Sequence, residues 1–380
     1  MKHVYLDHNA TTPVDERVLA AMLPYLKDQH GNASSRHEFG TVARRAVDRA
    51  REQVAALVGV QPAQVVFTSG GTEANNLFIR GTAAGMKPGR IAVSGLEHSC
   101  VALPAQELTR QGWSLRRLAV RHDGTVDLAD VEAALAEKTA IMSVMLANNE
   151  TGVIQDVAAI GERARKHGAV MHTDAVQALG KIPVDFAALN VHAMSLSSHK
   201  LYGPKGAGAL IVDKRLDLRA LQFGGGQERG LRGGTENVPA IAGFGMACEV
   251  AASRLAELGP RLAKLRDRME HGLQGLGAVI FGAGVQRLPN TSFFSIRGIT
   301  GETLVIELDK AGYAVGSGAA CSSSSSAPPS TLTSMGVGSE LARGAVRFSL
   351  GAANTAEEVD GFLAALREVT ARLRQLQAVA

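Results

Sequence analysis

The chain has 380 residues, of which 46% are hydrophobic and 20% charged. These proportions are typical of globular proteins and argue against a disordered or fibrous chain. Lysine plus arginine (40) nearly balance aspartate plus glutamate (36), and aromatic residues make up only 4%. That composition argues against nucleic-acid binding as the main task. Because one hydrophobic core seldom serves so long a chain, we expect two domains.

The N-terminus and the cysteines bear on where the protein works. The opening apolar stretch is too short for a signal peptide, and no run approaches the roughly eighteen apolar residues of a membrane span. Cys100, Cys248 and Cys321 are widely spaced and lack a CxxC pattern. They fit neither a disulfide framework nor a zinc site. We therefore predict a cytoplasmic protein with no membrane partner, in which an odd cysteine can be a nucleophile.

Helical and strand-like segments alternate from about residue 15 to residue 250. Apolar residues at helical spacing predict a helix over 36–58, which Gly59 ends. Short apolar runs predict strands at 65–67, 91–93, 141–146, 170–171 and 209–212, with helical stretches such as 160–167 between most of them. This alternation indicates an α/β fold with a mainly parallel sheet. In such a sheet, ligands gather where strands end.

Beyond residue 250 the pattern changes. A long helix rich in arginine and leucine is followed by strand candidates at 291–296, 313–315 and 346–350. The last helix opens with a capping box formed by Thr355 and Glu358. We interpret 15–250 as a large ligand-binding domain, and 1–14 together with 251–380 as a smaller α+β domain.

Three motifs at predicted strand ends carry side chains suited to one cofactor chemistry. Lys200 follows an apolar run and precedes a glycine-rich turn, and a fixed, partly desolvated lysine there can form a Schiff base. Asp174 follows the strand at 170–171, where its carboxylate can keep a pyridine nitrogen protonated. Gly71 and Thr72 lie in a glycine-rich turn between a strand and a helix, which can cradle a phosphate. Gln177, three residues after Asp174, could hydrogen-bond a ring hydroxyl.

Each of these motifs has an ordinary structural explanation when it stands alone. A lysine in a glycine-rich loop is usually a solvated turn residue, and an aspartate at a strand end often caps the next helix. Two further residues share this ambiguity. His98 could stack on a ring and move protons or be a structural histidine, and Asn149 could bond a ring hydroxyl or be a turn residue.

In combination, and in the same order along the chain, these motifs resemble the cysteine desulfurases of the class V aminotransferase superfamily, of the nitrogen-fixation and iron–sulfur type. The match starts with LDHNATTP at 6–13 and continues through 31–35 and NNETG at 148–152. It ends with RFSLG at 347–351 and so covers essentially the whole chain. The resemblance implies a pyridoxal-phosphate enzyme of fold type I. Such an enzyme has a large domain with a mainly parallel seven-stranded sheet and a smaller α+β C-terminal domain.

The resemblance also implies roles for individual residues. Lys200 matches the lysine that forms the Schiff base, Asp174 the partner of the pyridine nitrogen, and His98 the base stacked on the ring. The ring-hydroxyl partners and the phosphate cup that it implies are Gln177, Asn149, Thr72, Ser197 and His199. Thr235 matches a threonine that reaches the phosphate in the partner subunit, which implies a homodimer with two shared sites.

Cys321 separates the desulfurases from related aminotransferases. It is preceded by small residues and followed by five serines, neighbours that offer no apolar packing and predict a mobile, exposed loop. By the resemblance, its thiolate takes sulfur from L-cysteine and leaves alanine and a persulfide. Arg347, with Asn149, would then bind the substrate carboxylate. Cys100 and Cys248 are expected to be small buried hydrophobic residues.

The sulfur acceptor and some rival functions stay open. Many relatives carry a Leu-Glu-Pro-Ser element after the cysteine, where this chain has SAPPS at 326–330. An iron–sulfur scaffold or a thiolation protein could receive the persulfide sulfur. Cofactor synthesis and DNA sulfur modification are further pathways that could use it. A selenocysteine lyase and a class V aminotransferase are the alternative enzymes. A cofactor-free interaction protein is the rival from another class, and the presence of Lys200, Asp174 and Cys321 counts against it.

Overall fold

The computed structural model describes residues 3–318 and 328–379, with side chains as far as residue 376. The strands of this part of the chain are β1 (Val4–Tyr5), β2 (Val65–Thr68), β3 (Arg90–Ser94), β4 (Ser114–Leu118), β5 (Thr139–Ser143), β6 (Val170–Asp174), β7 (Ala193–Ser197), β8 (Gly208–Val212), β9 (Val279–Ile280), β10 (Thr291–Ser295), β11 (Tyr313–Ala314), β12 (Gly316–Ser317) and β13 (Ala345–Ser349). The helices are α1 (Glu16–Lys27), α2 (Glu38–Leu57), α3 (Gly71–Ala84), α4 (Ser99–Leu108), α5 (Leu128–Ala136), α6 (Val157–Lys166), α7 (Val238–Gln274), α8 (Gly301–Lys310), α9 (Ser330–Ser334), α10 (Ser339–Arg343) and α11 (Ala356–Val379).

Seven strands form the main sheet in the spatial order β2-β8-β7-β6-β5-β3-β4. The pairs β4–β3, β3–β5, β5–β6 and β6–β7 are parallel. Strand β8 runs antiparallel to both β7 and β2. Only ten residues join β7 to β8, fewer than the dozen or more that a parallel crossover needs, so β8 must return antiparallel. The mainly parallel seven-stranded sheet is therefore confirmed. All its strands except β8 end at the same edge.

The smaller sheet has the order β12-β13-β10-β9, and each pairing is antiparallel. Strand β1 pairs in parallel with β11, and a bridge between Asp7 and Ser349 continues from it toward β13. The N-terminal segment is therefore hydrogen-bonded to the C-terminal part of the chain. The small antiparallel sheet confirms the α+β part of the predicted fold class, and the pairing of β1 brings residues near the N-terminus to the edge of the main sheet.

Helix α7 contributes to two hydrophobic cores. Its first half, which includes Phe244 and Ala251, packs with the main sheet, and its second half, which includes Leu262 and Met269, packs under the small sheet. By length and composition α7 is apolar enough to cross a membrane, but it packs against α1 and α2 as a core helix. We propose that α7 joins the two units that the sequence pattern predicts around residue 250.

Local capping signals in the sequence match the observed helix ends. Helix α2 begins after His37, two residues later than predicted, and Gly59 follows its end with a φ of 70°. In front of α11, the Glu358 amide donates to Thr355 Oγ1 (3.3 Å) and the Thr355 amide donates to Glu358 Oε2 (3.2 Å). This reciprocal pair is the predicted capping box.

The sequence analysis gave no bounds for two strands of the main sheet: β4, and β7, which it indicated only as the apolar run that precedes the Lys200 motif. Strand β4 lies at the sheet edge, where Arg116 forms ion pairs with Asp130 and Glu137. Strand β7 is fully buried but contains Ser195, whose hydroxyl lies 2.9 Å from Nε2 of the buried His172. Polar residues with specific tertiary partners conceal such strands from a search for apolar runs.

Packing of the last helix gives a test of the smaller core. Phe362 is fully buried, with its ring centroid 5.2 Å from that of Phe348 and 5.8 Å from that of Tyr313. Replacing Phe362 by alanine should lower the free energy of unfolding by about 3–5 kcal/mol, because the neighbours fill the cavity only in part. Leu376→Ala, at a position 63% exposed on the same helix, should change it by no more than roughly 0.5 kcal/mol. Urea denaturation followed by circular dichroism measures both, and equal effects would contradict this packing.

Candidate active site

A cavity of about 330 Å³ opens at the edge of the main sheet where β2, β3, β5, β6 and β7 end. Such edges are the usual ligand sites of open α/β sheets. Strand β13 and the N-terminal segment complete its wall. The lining residues are Asn9, Ala10, Gly71, Thr72, Asn75, His98, Cys100, Met145, Asn149, Asp174, Val176, Gln177, Ser197, His199, Lys200 and Arg347. Ten residues singled out in the sequence are thus brought into one cavity.

Asp174 presents a buried carboxylate at the end of β6. Its Oδ2 accepts from Asn75 Nδ2 (2.7 Å) and its Oδ1 accepts from the Val176 amide (2.9 Å). Burial raises the pKa of Asp174, and these hydrogen bonds, with the nearby positive charge of Lys200, oppose the shift. A buried carboxylate is costly unless it is paired, so this position favours a ligand that brings a cationic N–H.

His98 caps the N-terminus of α4. Its Nδ1 accepts from the Cys100 amide at 3.2 Å, which favours the neutral tautomer with the proton on Nε2. Burial is the main cause that lowers the pKa of His98, and the charge of Lys200 adds to it. The imidazole is therefore neutral at physiological pH.

The prediction of a buried hydrophobic role was wrong for Cys100 and confirmed for Cys248. Cys248 is fully buried on α7. Cys100 instead lines the cavity, with its Sγ 2.9 Å from His98 Nδ1 and 3.0 Å from Asn75 Nδ2. Burial raises the pKa of the Cys100 thiol to about 12, so Cys100 is a neutral thiol and a poor nucleophile.

Lys200 ends a turn of 3₁₀ helix that directly follows β7. Its Nζ donates to the backbone oxygens of Asn9 (2.6 Å) and Ala10 (2.7 Å). The neighbouring His199 places Nδ1 3.1 Å from Thr11 Oγ1, and burial lowers the pKa of His199 to about 4. The N-terminal segment therefore fixes both residues of this turn.

Asn9 was not identified as a site residue in the sequence, although it belongs to the LDHNATTP motif. It is only 1% exposed and forms hydrogen bonds to both sheets. Its backbone oxygen accepts from Lys200 and Gln177, its Oδ1 accepts from Lys181 and Asn290, its Nδ2 donates to Asn149 O and Thr291 Oγ1, and its amide donates to Ser349 Oγ. The asparagine in that motif was the available signal.

Arg347 comes from β13 of the small sheet and is buried at the cavity wall. Its Nη2 donates to Asp7 Oδ1 (2.6 Å) and its Nη1 donates to the Asn149 oxygen (3.2 Å). Within the described part of the chain, its buried Nε has no hydrogen-bond partner. A guanidinium with an unpaired donor next to a cavity is suited to bind a carboxylate.

Comparison with known proteins identifies the family. Residues 4–362 match the aminotransferase class-V family. The chain is 44% identical to cysteine desulfurase IscS of Pectobacterium atrosepticum, over 98% of this chain and 94% of the relative. A solved structure described as a NifS-like protein superposes with a TM-score of 0.92 at 38% identity, covering 97% of this chain and 99% of its own. The chain belongs to the cysteine desulfurases of the class-V aminotransferase family. Membership implies a pyridoxal-phosphate cofactor.

A further solved structure, described as SspA in complex with cysteine, also resembles the chain. It superposes with a TM-score of 0.81 at 32% identity and covers 91% of this chain and 98% of its own.

Thr235 is the one predicted residue of the desulfurase site that the structure describes away from the cavity wall. Thr235 is exposed, on a loop that is anchored by the buried ion pair of Glu228 with Arg51 (2.7 Å). Cys321, and the expected loop around it, lie outside the described residues.

Glu97, which precedes His98, is a buried acid that the sequence did not single out. Its Oε1 accepts from Ser94 Oγ (2.6 Å) and the Met145 amide (2.7 Å), whereas Oε2 is buried without a partner among the described residues. Burial raises the pKa of Glu97 to about 8, and the charge of Asp174 adds to the shift. The carboxyl group is therefore protonated at neutral pH.

This raised pKa makes stability depend on pH. Unfolded Glu97 loses its proton near pH 4.5, but the folded protein keeps it up to about pH 8. The contribution of Glu97 to stability is therefore complete below about pH 4.5 and is lost as pH rises toward 8. Relative to Glu97→Gln, the wild-type free energy of unfolding should fall by up to about 1.4 kcal/mol per pH unit in that window. Urea denaturation at several pH values measures this difference. Parallel pH curves would contradict it, and Glu52→Gln, an exposed site on α2, should give them.

Proposed function

We propose that this chain holds pyridoxal phosphate on Lys200, removes sulfur from L-cysteine and leaves L-alanine and a persulfide on Cys321. The observation that carries the proposal is one cavity that contains the Lys200 amine, the buried Asp174 carboxylate and the Arg347 guanidinium. An amine, an acid and a carboxylate-binding group are what this cofactor and an amino-acid substrate require together.

The cavity residues fit the cofactor. Asp174 offers the buried charge that a protonated ring nitrogen would neutralise, and the start of α3 offers amides and the Thr72 hydroxyl to a phosphate. A side chain at Gly71 would have its Cβ 2.7 Å from Val176 Cγ2 and 3.6 Å from Ser197 Cβ, so a glycine is needed there. We assign Thr72, Ser197 and His199 to the phosphate, and Gln177 and Asn149 to the ring hydroxyl. When bound, the cofactor supplies an electron sink that stabilises charge at the substrate Cα.

The protein supplies binding and proton transfer. Arg347 would receive the substrate carboxylate on its unpaired Nε–H, with Asn149 beside it. His98 would lie against the ring and carries on Nε2 the proton that it can donate. Lys200 is the amine within the cavity that can accept the Cα proton.

Cys321 is the residue to which we assign the sulfur. Its thiolate forms an S–S bond with the substrate sulfur while the substrate C–S bond breaks, and that bonding pair goes to the substrate carbon, which is then protonated. L-Cysteine and one thiol thus give L-alanine and one persulfide, with no external oxidant. The neutral Cys100 thiol is unsuited to this attack. The solved relative described in complex with cysteine supports cysteine as the substrate.

A homodimer would complete the site. Leu19, Leu23 and Leu26 are exposed on one face of α1, and such apolar faces favour a partner surface. Thr235 is exposed on its anchored loop, which suits a residue that reaches the phosphate in the partner subunit. We propose a cytoplasmic enzyme that passes its persulfide to an iron–sulfur scaffold or thiolation protein.

Substituting Cys321 tests the sulfur chemistry. Cys321→Ser should still bind cysteine but release no alanine in the presence of a thiol reductant, because a hydroxyl cannot take the sulfur. Alanine is measured directly from wild type, Cys321→Ser and Cys248→Ala, in which a buried thiol on α7 is removed. The control should keep its turnover. Undiminished alanine from Cys321→Ser would place the nucleophile elsewhere.

Substituting Lys200 tests the cofactor link. Lys200→Ala should abolish covalent attachment, whereas Lys205→Ala, at an exposed position of the same turn, should keep it. Borohydride reduction followed by peptide mapping locates the modified lysine. A label on Lys181 or any other lysine would overturn the assignment.

A further inference from the structure

Lys181 lies just outside the cavity, four residues after Gln177. Its Nζ donates to Gln177 Oε1 at 2.7 Å and to Asn9 Oδ1 at 2.8 Å. It does not line the cavity, whereas Gln177, Asn9 and Lys200 do. A lysine whose amine binds two amide oxygens behind an active-site wall is not a solvated surface residue.

These contacts fix the orientation of the Gln177 amide. Gln177 Nε2 donates one hydrogen to the Asn9 backbone oxygen at 3.0 Å, while Oε1 accepts from Lys181. If the amide were rotated by 180°, Oε1 would face the Asn9 oxygen and Nε2 would face the lysine amine. Both contacts would be repulsive, because like groups would oppose each other. The second N–H of Gln177 is therefore left for a group in the cavity.

We propose that Lys181 is a positioning residue that holds the Gln177 amide as a hydrogen-bond donor to the ring oxygen of the cofactor. This inference rests on the proposed function, because Gln177 acts on the ring only if the cofactor binds in this cavity. Lys181 acts through Gln177. Its second hydrogen bond, to Asn9 Oδ1, holds another residue that lines the cavity.

Lys181 can donate to both amide oxygens whether or not it is charged. Burial lowers the pKa of Lys181 well below its ordinary value, and the positive charges of Lys200 and Arg347 add to this effect. Its two acceptors are neutral amide oxygens, and a neutral amine still has two N–H groups for them. The protonated amine also excludes the flipped amide, because it cannot accept from Gln177 Nε2.

A double-mutant cycle tests whether Lys181 acts through Gln177. The variants are Lys181→Met, Gln177→Leu and the two combined, and the measured quantity is the dissociation constant of pyridoxal phosphate, followed by cofactor absorbance. Lys181→Met should raise that constant about 3- to 10-fold, which corresponds to the loss of one neutral hydrogen bond. Adding it to Gln177→Leu should cause no further change. Lys205→Met, in the exposed turn after Lys200, is the matched control and should bind like wild type.

Independent, multiplicative effects of the two substitutions would overturn the inference. So would an unchanged dissociation constant together with a lower melting temperature, because Lys181 would then serve stability alone. Gln177→Glu provides a second check that does not remove the lysine. Its carboxylate would pair with Lys181 but would oppose the Asn9 oxygen and offer no N–H to the ring oxygen, so cofactor affinity should fall, and the melting temperature measured alongside shows whether the fold is kept. Affinity unchanged from wild type would contradict the donor role.

The outcomes also separate this inference from the proposed function. Wild-type protein that takes up no cofactor would contradict the proposed function itself. Wild-type protein that binds the cofactor and releases alanine, with independent effects at 177 and 181, would contradict only the role of Lys181.

Discussion

The hydrogen bonding of one buried asparagine underlies the geometry of this site. Asn9 has almost no contact with solvent, so each of its polar atoms needs a partner within the protein. Those partners come from the loop after β5, the segment after β6, the turn after β7 and the small sheet. A shift in any of these elements would leave a buried polar group unpaired, which costs about 1–3 kcal/mol for each group. The N-terminal segment therefore locks the two sheets together at the cavity.

The hydrogen bonds of Asn9 hold several basic side chains close together. Lys181, Lys200 and Arg347 surround the Asn9 contacts, and the pKa of Lys181 is lowered in part by the other two. Asp7 forms an ion pair with Arg347, and the carboxylate of Asp174 lines the same cavity as Arg347 and Lys200. Anionic ligands bound next to these groups would reduce the repulsion between them. In the proposed function, a phosphate and an amino-acid carboxylate supply negative charge here, so binding and stability are expected to be linked.

The fold supplies the precision that such a site needs. Five strand ends present the cavity residues from a rigid sheet, and the short β7–β8 connection fixes the turn that carries Lys200. Helix α7 ties the core under this sheet to the core under the small sheet, from which Arg347 reaches the cavity. The groups that we assign to the cofactor and to the substrate thus come from different sheets, held together by one continuous helix and by the contacts of Asn9.

Local pattern was sufficient to predict the α/β alternation, the helix ends at Gly59 and Thr355, and the motifs that carry Asp174 and Lys200. These features depend on periodicity, capping and turn chemistry within a few neighbouring residues. The bounds of strand β7, the neutral thiol of Cys100, the buried acid Glu97 and the hydrogen bonds of Asn9 and Lys181 were missed. Their properties come from burial and from partners up to 340 residues away, such as Ser349 for Asn9. No short window of sequence contains both members of such a pair. The burial and the hydrogen-bond partners of these residues are therefore decided only when the chain packs in three dimensions.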